Sequence, residues 1–486
     1  MRVRLFVFAL LFTAALRAQS QPDASAAERP LRLEDAIALA LDKNFDLKIQ
    51  RLATENAEDS FIIADAAFDP TLTLSTARSY AQSTDGVTSQ TGFDTRIGAS
   101  QRLTTGATIS GSGSLDRTRN RPLLTASLNP VYSSDVALSV RQPLLKNGGF
   151  AANRAALERA RIGITRAGYE FTDSVLSLIR AVESAYYTLS FARSQLEVRR
   201  FSVQVAEELL EENRTRRDVG TAIDLDVLQA EVGLANARRA LLLAEQTEKN
   251  ASDNLLALIN PFEFDVAPGP LAVPPIENVS ASFDLSYKLA RDNNPNFAST
   301  QLSIEQLKLD AEAARRNRLP TLDVGAALGY NTRKGSAGEA ASDVWGSDGY
   351  NWQVDASLNL PWGMRADRAR YRQSVNSLNR ERIRLQQVDQ DLLVQVRAAV
   401  RAVETNRENL SIATLAAQLS EQQYEAEKAR YAQGVTTFRR VQEAKEDLDT
   451  ARINELQALL NLRNALADLA RVEASSLSRY RITLEP

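Results

Sequence analysis

The 486-residue sequence contains neither histidine nor cysteine. Without them there is no Ser-His-Asp or Cys-His nucleophile, no histidine or thiolate zinc site, no histidine or cysteine haem ligand and no disulfide. Carboxylate, lysine or tyrosine chemistry is left, or no chemistry at all, and no catalytic, cofactor-binding or metal-binding constellation can be read from the chain. One-sided charge is missing too: 58 Lys+Arg stand against 61 Asp+Glu, for a net charge of -3. A chain so balanced carries no basic footprint, and nucleic acid is not an expected partner. Nor is there, beyond the N-terminus, any run approaching the ~18 consecutive apolar residues of a transmembrane helix. Membrane insertion of the mature chain is therefore possible only as a β-barrel, the other structure that satisfies its own backbone in lipid.

The N-terminus has its own layout. Arg2 and Arg4 precede an apolar run from Leu5 to Leu16 and the small residue Ala18. The run is too short to span a bilayer and has the order of a secretory signal peptide, 1–18, cleaved near Ala18 or Ser20. A retained membrane anchor is the alternative. The absence of cysteine leaves no thiol for lipidation of the mature N-terminus.

Proline is scarce in two long stretches, 144–260 and 362–485, which contain none. Proline inside a helix costs about 3 kcal/mol, so such tracts, rich in Ala, Leu, Glu, Arg and Gln, are expected to be helical. Glycine is almost as sparse there, and the second tract holds only Gly363 and Gly434. Gly220, in RRDVGTAIDLDVLQAE, and Gly434, in RYAQGVTTFRRVQEA, each break the pattern. Each tract therefore reads as a helix, a tight turn and a returning helix.

The two halves overlay. A shift of 250 residues puts Asp42 on Asp292, Asn44 on Asn294 and Pro70-Thr71-Leu72 on Pro320-Thr321-Leu322. A shift of 214 puts Gly220 on Gly434, Val227 on Val441, Ala230 on Ala444 and Leu234 on Leu448. Offsets differing by 36 residues mark an insertion in the first half, after Pro70 and before its long helix. The expected organisation is a first repeat over 19–260, with strands about 71–143 and a helical hairpin about 150–260. A proline-rich linker, 261–282, leads to a second repeat over 283–486, with strands about 321–361 and a hairpin about 365–474. Within the hairpins Val227, Ala230, Leu234, Ala237, Leu241 and Ala244 step by three and four, a narrow seam of the kind seen in coiled coils.

After Pro320 the period changes from helical to two. Leu322, Val324, Ala326, Leu328 and Tyr330 alternate with polar or small residues, and Trp352, Val354, Ala356, Leu358 and Leu360 do so again past a Gly/Ser/Asp-rich loop. Strands of about ten residues with one apolar face match transmembrane β-strands, although a soluble hairpin with one wet face has the same alternation. Tyr330, Trp345, Tyr350, Trp352 and Trp362 suit an interfacial aromatic belt. In the first half the strand-like segments are Thr71–Ser75 and Val136–Val140, and the insertion between them, TRIGASQRLTTGATISGSGSLD, reads as a further hairpin turning near Thr105-Gly106. Whether this hairpin joins a barrel is open at this point. Four strands, or six, are too few to close a barrel without edges, so oligomerisation is expected.

Taken in order, several segments resemble the TolC-like outer-membrane efflux proteins, or outer membrane factors. They are LRLEDAIALALDKN and its repeat SFDLSYKLARDNNPN, the two Pro-Thr-Leu pairs, QPLLKNGG and LPWGMRADR where strands return to helices, and the two glycine turns. The resemblance covers essentially the whole mature chain. It implies an α+β membrane protein in which tandem-duplicated long α-helical hairpins form a periplasmic tunnel and β-strands contribute to a trimeric 12-stranded outer-membrane β-barrel. It further implies a homotrimer embedded in outer-membrane lipid, passively conducting substrates delivered by a periplasmic adaptor and an inner-membrane transporter in tripartite efflux or type I secretion. Carried over by position, Asp226 and Tyr431 match the family's linking aspartate and its tyrosine partner, and Gly220 and Gly434 mark hairpin tips that would dock adaptor or transporter. Thr436 stands where the prototype has a linking arginine, and Arg440 and Glu443 where it has ring aspartates. Asp226, Tyr431, Arg440 and Glu443 are thus the candidate periplasmic gate, with the acidic ring altered. From the residues alone, Asp226 is equally a carboxylate favoured in a first helical turn, and Arg440 and Glu443 an exposed i,i+3 pair. Arg214, Arg216 and Arg217 read as a solvated face. The rival function is a periplasmic coiled-coil adaptor or scaffold, against which two hairpins and two strand pairs argue.

Overall fold

The computed structural model describes residues 30–84, 88–121, 129–264, 267–276, 282–346 and 349–484. The signal-peptide reading of 1–18 and parts of the 261–282 linker lie outside the described residues. In chain order the elements are β1 (Leu31–Arg32), α1 (Leu33–Lys43), α2 (Phe45–Asp65), β2 (Thr71–Gln82), β3 (Ser89–Arg102), β4 (Thr108–Arg121), β5 (Val131–Pro143), α3 (Phe150–Asn153), α4 (Ala155–Asp218) and α5 (Asp224–Ile259). There follow β6 (Leu271–Ala272), α6 (Phe283–Asn293), α7 (Pro295–Arg316), β7 (Thr321–Lys334), α8 (Ala337–Asp343), β8 (Tyr350–Asn359), α9 (Arg365–Ala432), α10 (Phe438–Val472) and α11 (Ser476–Arg479).

Local chemistry explains the boundaries. Asn44 and Asn294, aligned by the 250-residue shift, cap α2 and α7: their side-chain oxygens accept from the Leu47 and Phe297 amides at 3.2 and 3.1 Å. Such a cap satisfies one of the orphan donors of a first turn and contributes about 1 kcal/mol. Pro295 occupies the first turn of α7, where its missing N–H costs nothing. The proline-free tracts yield helices of 64 and 68 residues, α4 and α9, each followed after a short turn by a helix of 36 or 35 residues.

The chain divides into two compact units. One takes the described residues within Met1–Lys43, Val182–Asn278 and Ala416–Leu460, including both hairpin turns. Its core is the expected seam: Val227, Ala230, Leu234, Val441, Ala444 and Leu448 pack with Val205, Leu209, Tyr424 and Phe438. Fully burying each large member contributes about 1.5–3 kcal/mol. In the same unit β1 pairs in parallel with β6, Leu31 opposite Leu271 and Arg32 opposite Ala272. Arg193 holds the segment before β6, donating to the Gly269 and Pro268 carbonyls at 2.7 and 2.6 Å while pairing with Glu248 at 3.1 Å.

The other unit takes Asn44–Ala181, Val279–Leu415 and the residues from Asn461. Its helical core gathers Ala290, Leu392, Val396, Val400, Val403, Leu462, Ala465 and Leu469. Arg180 grips Asp468 through two bonds of 2.6 and 3.2 Å. The unit also contains a six-stranded sheet, antiparallel throughout, in the order β2-β3-β4-β5-β7-β8. Four of these strands are the pairs expected from the sequence, and the hairpin of the insertion, β3 and β4, lies between β2 and β5 in one continuous ladder.

The register aligns side chains in rows. Leu72, Ala99, Gly111, Leu138, Leu328 and Trp352 stand in one row, and Leu74, Ile97, Gly113, Val136, Tyr330 and Tyr350 in another on the same face. The intervening row, on the opposite face, is Thr73, Gly98, Ser112, Ala137, Gly329 and Asn351. One face of the whole sheet is thus an apolar band and the other polar or small, the dyad pattern of a membrane barrel wall. The large side chains of the band lie open: Leu72 is 77% exposed, Trp352 70% and Val354 67%. Among the described residues no helix is long and apolar enough to cross a membrane.

A candidate gate beside the hairpin turns

The turn after α4 is closed by Gly220, whose φ of +79° suits glycine. Its N–H donates to Arg217 O at 2.9 Å and the Thr221 N–H to Arg216 O at 2.8 Å, which satisfies carbonyls the helix leaves orphaned. The second turn repeats the device with Gly434 at φ +74°, donating to Tyr431 O at 3.0 Å, and Val435 N–H donating to Arg430 O at 3.0 Å. Around these turns Val219, Ile223, Leu225 and Val435 are all exposed.

Each sequence-predicted gate residue has a definite place. Asp226 sits in the first turn of α5, where its carboxylate accepts the Ile223 amide at 3.2 Å and its own N–H donates to Ile223 O at 3.0 Å. Its acceptor capacity is directed to capping its own helix, and no hydrogen bond joins it to Tyr431. The Tyr431 hydroxyl instead donates to Oδ1 of Asn213, on α4 of the first hairpin, at 2.9 Å. Asn213 is fully buried, and its amide nitrogen donates to Leu209 O at 2.7 Å. The Arg216 guanidinium lies 4.3 Å from the Tyr431 ring centroid and is steadied by two bonds to Glu212, of 3.0 and 2.7 Å. Phe438 tilts against the same ring, 6.1 Å between centroids. Burial pushes the Tyr431 phenol above its ordinary pKa, while the Arg216 cation opposes the shift.

Arg440 and Glu443 lie apart from this cluster. Their closest charged atoms are 3.7 Å apart, with side chains 71% and 45% exposed, and Glu443 is also held by Arg439 at 2.9 Å. Exposed pairs of this kind contribute at most about 1 kcal/mol.

Sequence reasoning missed Asn213 and assigned Arg216 to a solvated face; the structure stacks Arg216 on Tyr431. The signal for Asn213 was present, since it follows Val205 and Leu209 at helical spacing and places one amide in an apolar seam. Also missed was a second buried polar cluster on α10 and α4. Lys445 and Asp449 form a close ion pair with side chains 8% and 7% exposed, and the Ser202 hydroxyl donates to Asp449 at 2.7 Å. Burial lowers the pKa of Lys445, and the hydrogen bond it donates to Asp449 opposes the shift. Among the described residues no three or more Asp or Glu side chains are grouped so as to hold a metal ion.

A sheet with one apolar face, in a chain that alternates strands with two long helical hairpins folded back at glycine turns, defines an outer-membrane channel protein with a periplasmic helical section. The chain belongs to the outer membrane efflux protein family, whose model matches residues 36–261 and 286–473. It is similar to the pyoverdine export outer membrane protein OpmQ of Pseudomonas aeruginosa, 28% identical over 356 residues, or 68% of this chain and 69% of that one. In fold it resembles CusC, a protein that forms a transmembrane channel, with a TM-score of 0.73 at 14% identity over 94% of this chain and 95% of that chain. The Campylobacter jejuni outer membrane channel CmeC gives a TM-score of 0.68 at 17% identity, covering 93% and 90%. The adaptor reading of the helices gives way to the channel, and the family and fold are those of transport proteins of the outer membrane.

Proposed function

We propose that the protein is the exit duct of a three-part export system: a homotrimer that receives substrate from an inner-membrane transporter through a periplasmic adaptor and passes it outward passively. The observation that carries the gating part of this reading is the buried tie from Tyr431 to Asn213, which joins the second hairpin to the first within a few residues of both turns. Parting the hairpins breaks that bond and unstacks Arg216, so the tie favours a closed duct. Asp226 holds the first turn of the returning helix in shape, and Arg440 and Glu443, solvent-facing in one protomer, supply the charge of the entrance. Three arginines brought together there would favour anions, moderated by Glu443. The exposed apolar residues around Gly220 and Gly434 suit docking of an adaptor. The export of pyoverdine by OpmQ supports a role in efflux.

Single-channel conductance in planar bilayers tests the gate. Replacing Asp226, Tyr431 and Arg440 together should raise open probability and, through Arg440, reduce preference for anions. Unchanged conductance and selectivity would sink the gate assignment.

A further inference from the structure

We infer that the barrel of this protein is built from eighteen strands, three copies of the six-stranded sheet, rather than from twelve. The inserted hairpin is the deciding element. It continues the ladder on both sides: β3 pairs with β2 along twelve positions from Thr71 to Gln82, and β4 pairs with β5 from Thr108 to Thr118. Its faces are in phase with the rest of the sheet. Ile97, Ala99, Ile109 and Leu115 fall on the apolar side, while Asp94, Arg96, Ser112, Ser114 and Asp116 fall on the polar side. A hairpin lying outside the membrane has no need of this alternation, and one lying across the barrel mouth would not share the register of the wall.

The base of the hairpin is fixed where the other strands meet their helices. Gln101 donates to Phe68 O at 3.1 Å on the entry side. On the exit side Arg102 donates to Asn153 at 2.7 Å, and the Thr105 carbonyl accepts from Gly149 N–H at 3.0 Å and from Gln142 at 3.2 Å. Gly106, at φ +92°, packs so closely that a Cβ there would meet Asn147 O and Asn153 Nδ2 at 2.6 Å. The turn is built into the strand-to-helix junction and does not hang from it.

Among the described residues the sheet's two edges, β2 of 12 residues and β8 of 10, have no further strand beside them. Open edges of this length are templates for pairing with another chain. A second copy of the chain fits. Six antiparallel strands are an even number, so β2 and β8 run in opposite directions, and joining β8 of one copy to β2 of the next continues an antiparallel ladder. The apolar band continues as well, from Trp352 and Val354 to Leu72 and Leu74. Barrel diameter grows about linearly with strand number, so eighteen strands give a wall about 1.5 times as wide as twelve, in the range that leaves an aqueous channel.

Because the chain has no cysteine, single introduced thiols report on the wall without background. The full-length protein, reconstituted in liposomes, would be treated with a charged, membrane-impermeant thiol reagent. Arg96→Cys and Ser114→Cys should react at least tenfold faster than Ile97→Cys and Leu115→Cys. The control on β7 is Ala327→Cys against Leu328→Cys. Equal reaction at all four hairpin positions, with contrast kept on β7, would overturn the inference and leave the barrel standing. Loss of contrast on β7 as well would instead overturn the membrane wall itself. A second readout is the strand count in end-on electron-microscopy maps: eighteen strands are expected, and twelve would refute the proposal however the thiols react.

Discussion

Replacing Tyr431 by phenylalanine removes one oxygen and little volume, so its effect isolates the tie to Asn213. In the folded chain the Asn213 side chain is 0% exposed, its amide nitrogen is already engaged with Leu209, and Oδ1 has the Tyr431 hydroxyl as its partner. Losing the hydroxyl strands a buried acceptor, which costs about 1–3 kcal/mol. The Arg216 stacking, worth about 0.5–2 kcal/mol, survives because the ring remains. If the tie exists only while the hairpins are closed, the closed-to-open ratio falls about 5- to 150-fold, the population equivalent of that energy. Open probability in planar bilayers measures this ratio directly. Chemical denaturation of the same variant followed by circular dichroism measures the total cost. A variant that loses stability by the expected amount yet opens no more often than the parent would refute the reasoning, because the tie would then persist in both states. Pairing the variant with Asn213→Ala completes a cycle, in which coupling of about 0.5–3 kcal/mol is expected for groups in direct contact.

Asp449→Ala should destabilise by about 3–5 kcal/mol, because it leaves the Lys445 ammonium buried without its partner. Replacing both at once, with Lys445→Met and Asp449→Leu, should recover most of that loss in denaturation measurements; an additive second loss would contradict it. Burial also raises the phenols of Tyr424 and Tyr431 above the ordinary value of 10.0. The folded state therefore holds their protons more tightly than the unfolded chain, and this contribution is complete below pH 10.0 and is lost as pH rises through the raised values. The lowered Lys445 works in the opposite sense, so the comparison is best made with Tyr424→Phe, whose hydroxyl has no hydrogen-bond partner. That variant should be no less stable than the parent at neutral pH and should lose less stability above pH 10 in thermal melts; parallel pH profiles would count against it.

Much of the architecture was legible because it is local. Proline-free tracts, two glycines at positive φ, repeated asparagine caps and period-two strands each act within a few residues, and pattern reading reaches that far. What escaped was settled by register between distant segments. Tyr431 finds its partner 218 residues away, and the residues around Asn213 mark a buried amide without pointing to the hydroxyl that it binds. Arg216 resembles its neighbours Arg214 and Arg217 in sequence, and only the packing of α9 against α4 separates them. The inserted hairpin was ambiguous for a different reason. In β4 the apolar side carries Gly111 and Gly113, so the alternation is diluted where it would have decided the matter, and the cross-strand neighbours Leu138, Val136 and Ile97 complete the band instead.

The parallel pairing of Leu31-Arg32 with Leu271-Ala272 has a consequence for how such a chain evolves. It sets the starts of two homologous halves side by side and pointing the same way, as two separate half-length subunits would meet around an axis. Fusing them frees each half from having to stay identical to its neighbour. The first half could then acquire a hairpin the second lacks, and the sheet takes four strands, β2 to β5, from the first half and only the pair β7 and β8 from the second. Two equal half-length chains would have had to accept that hairpin twice or not at all.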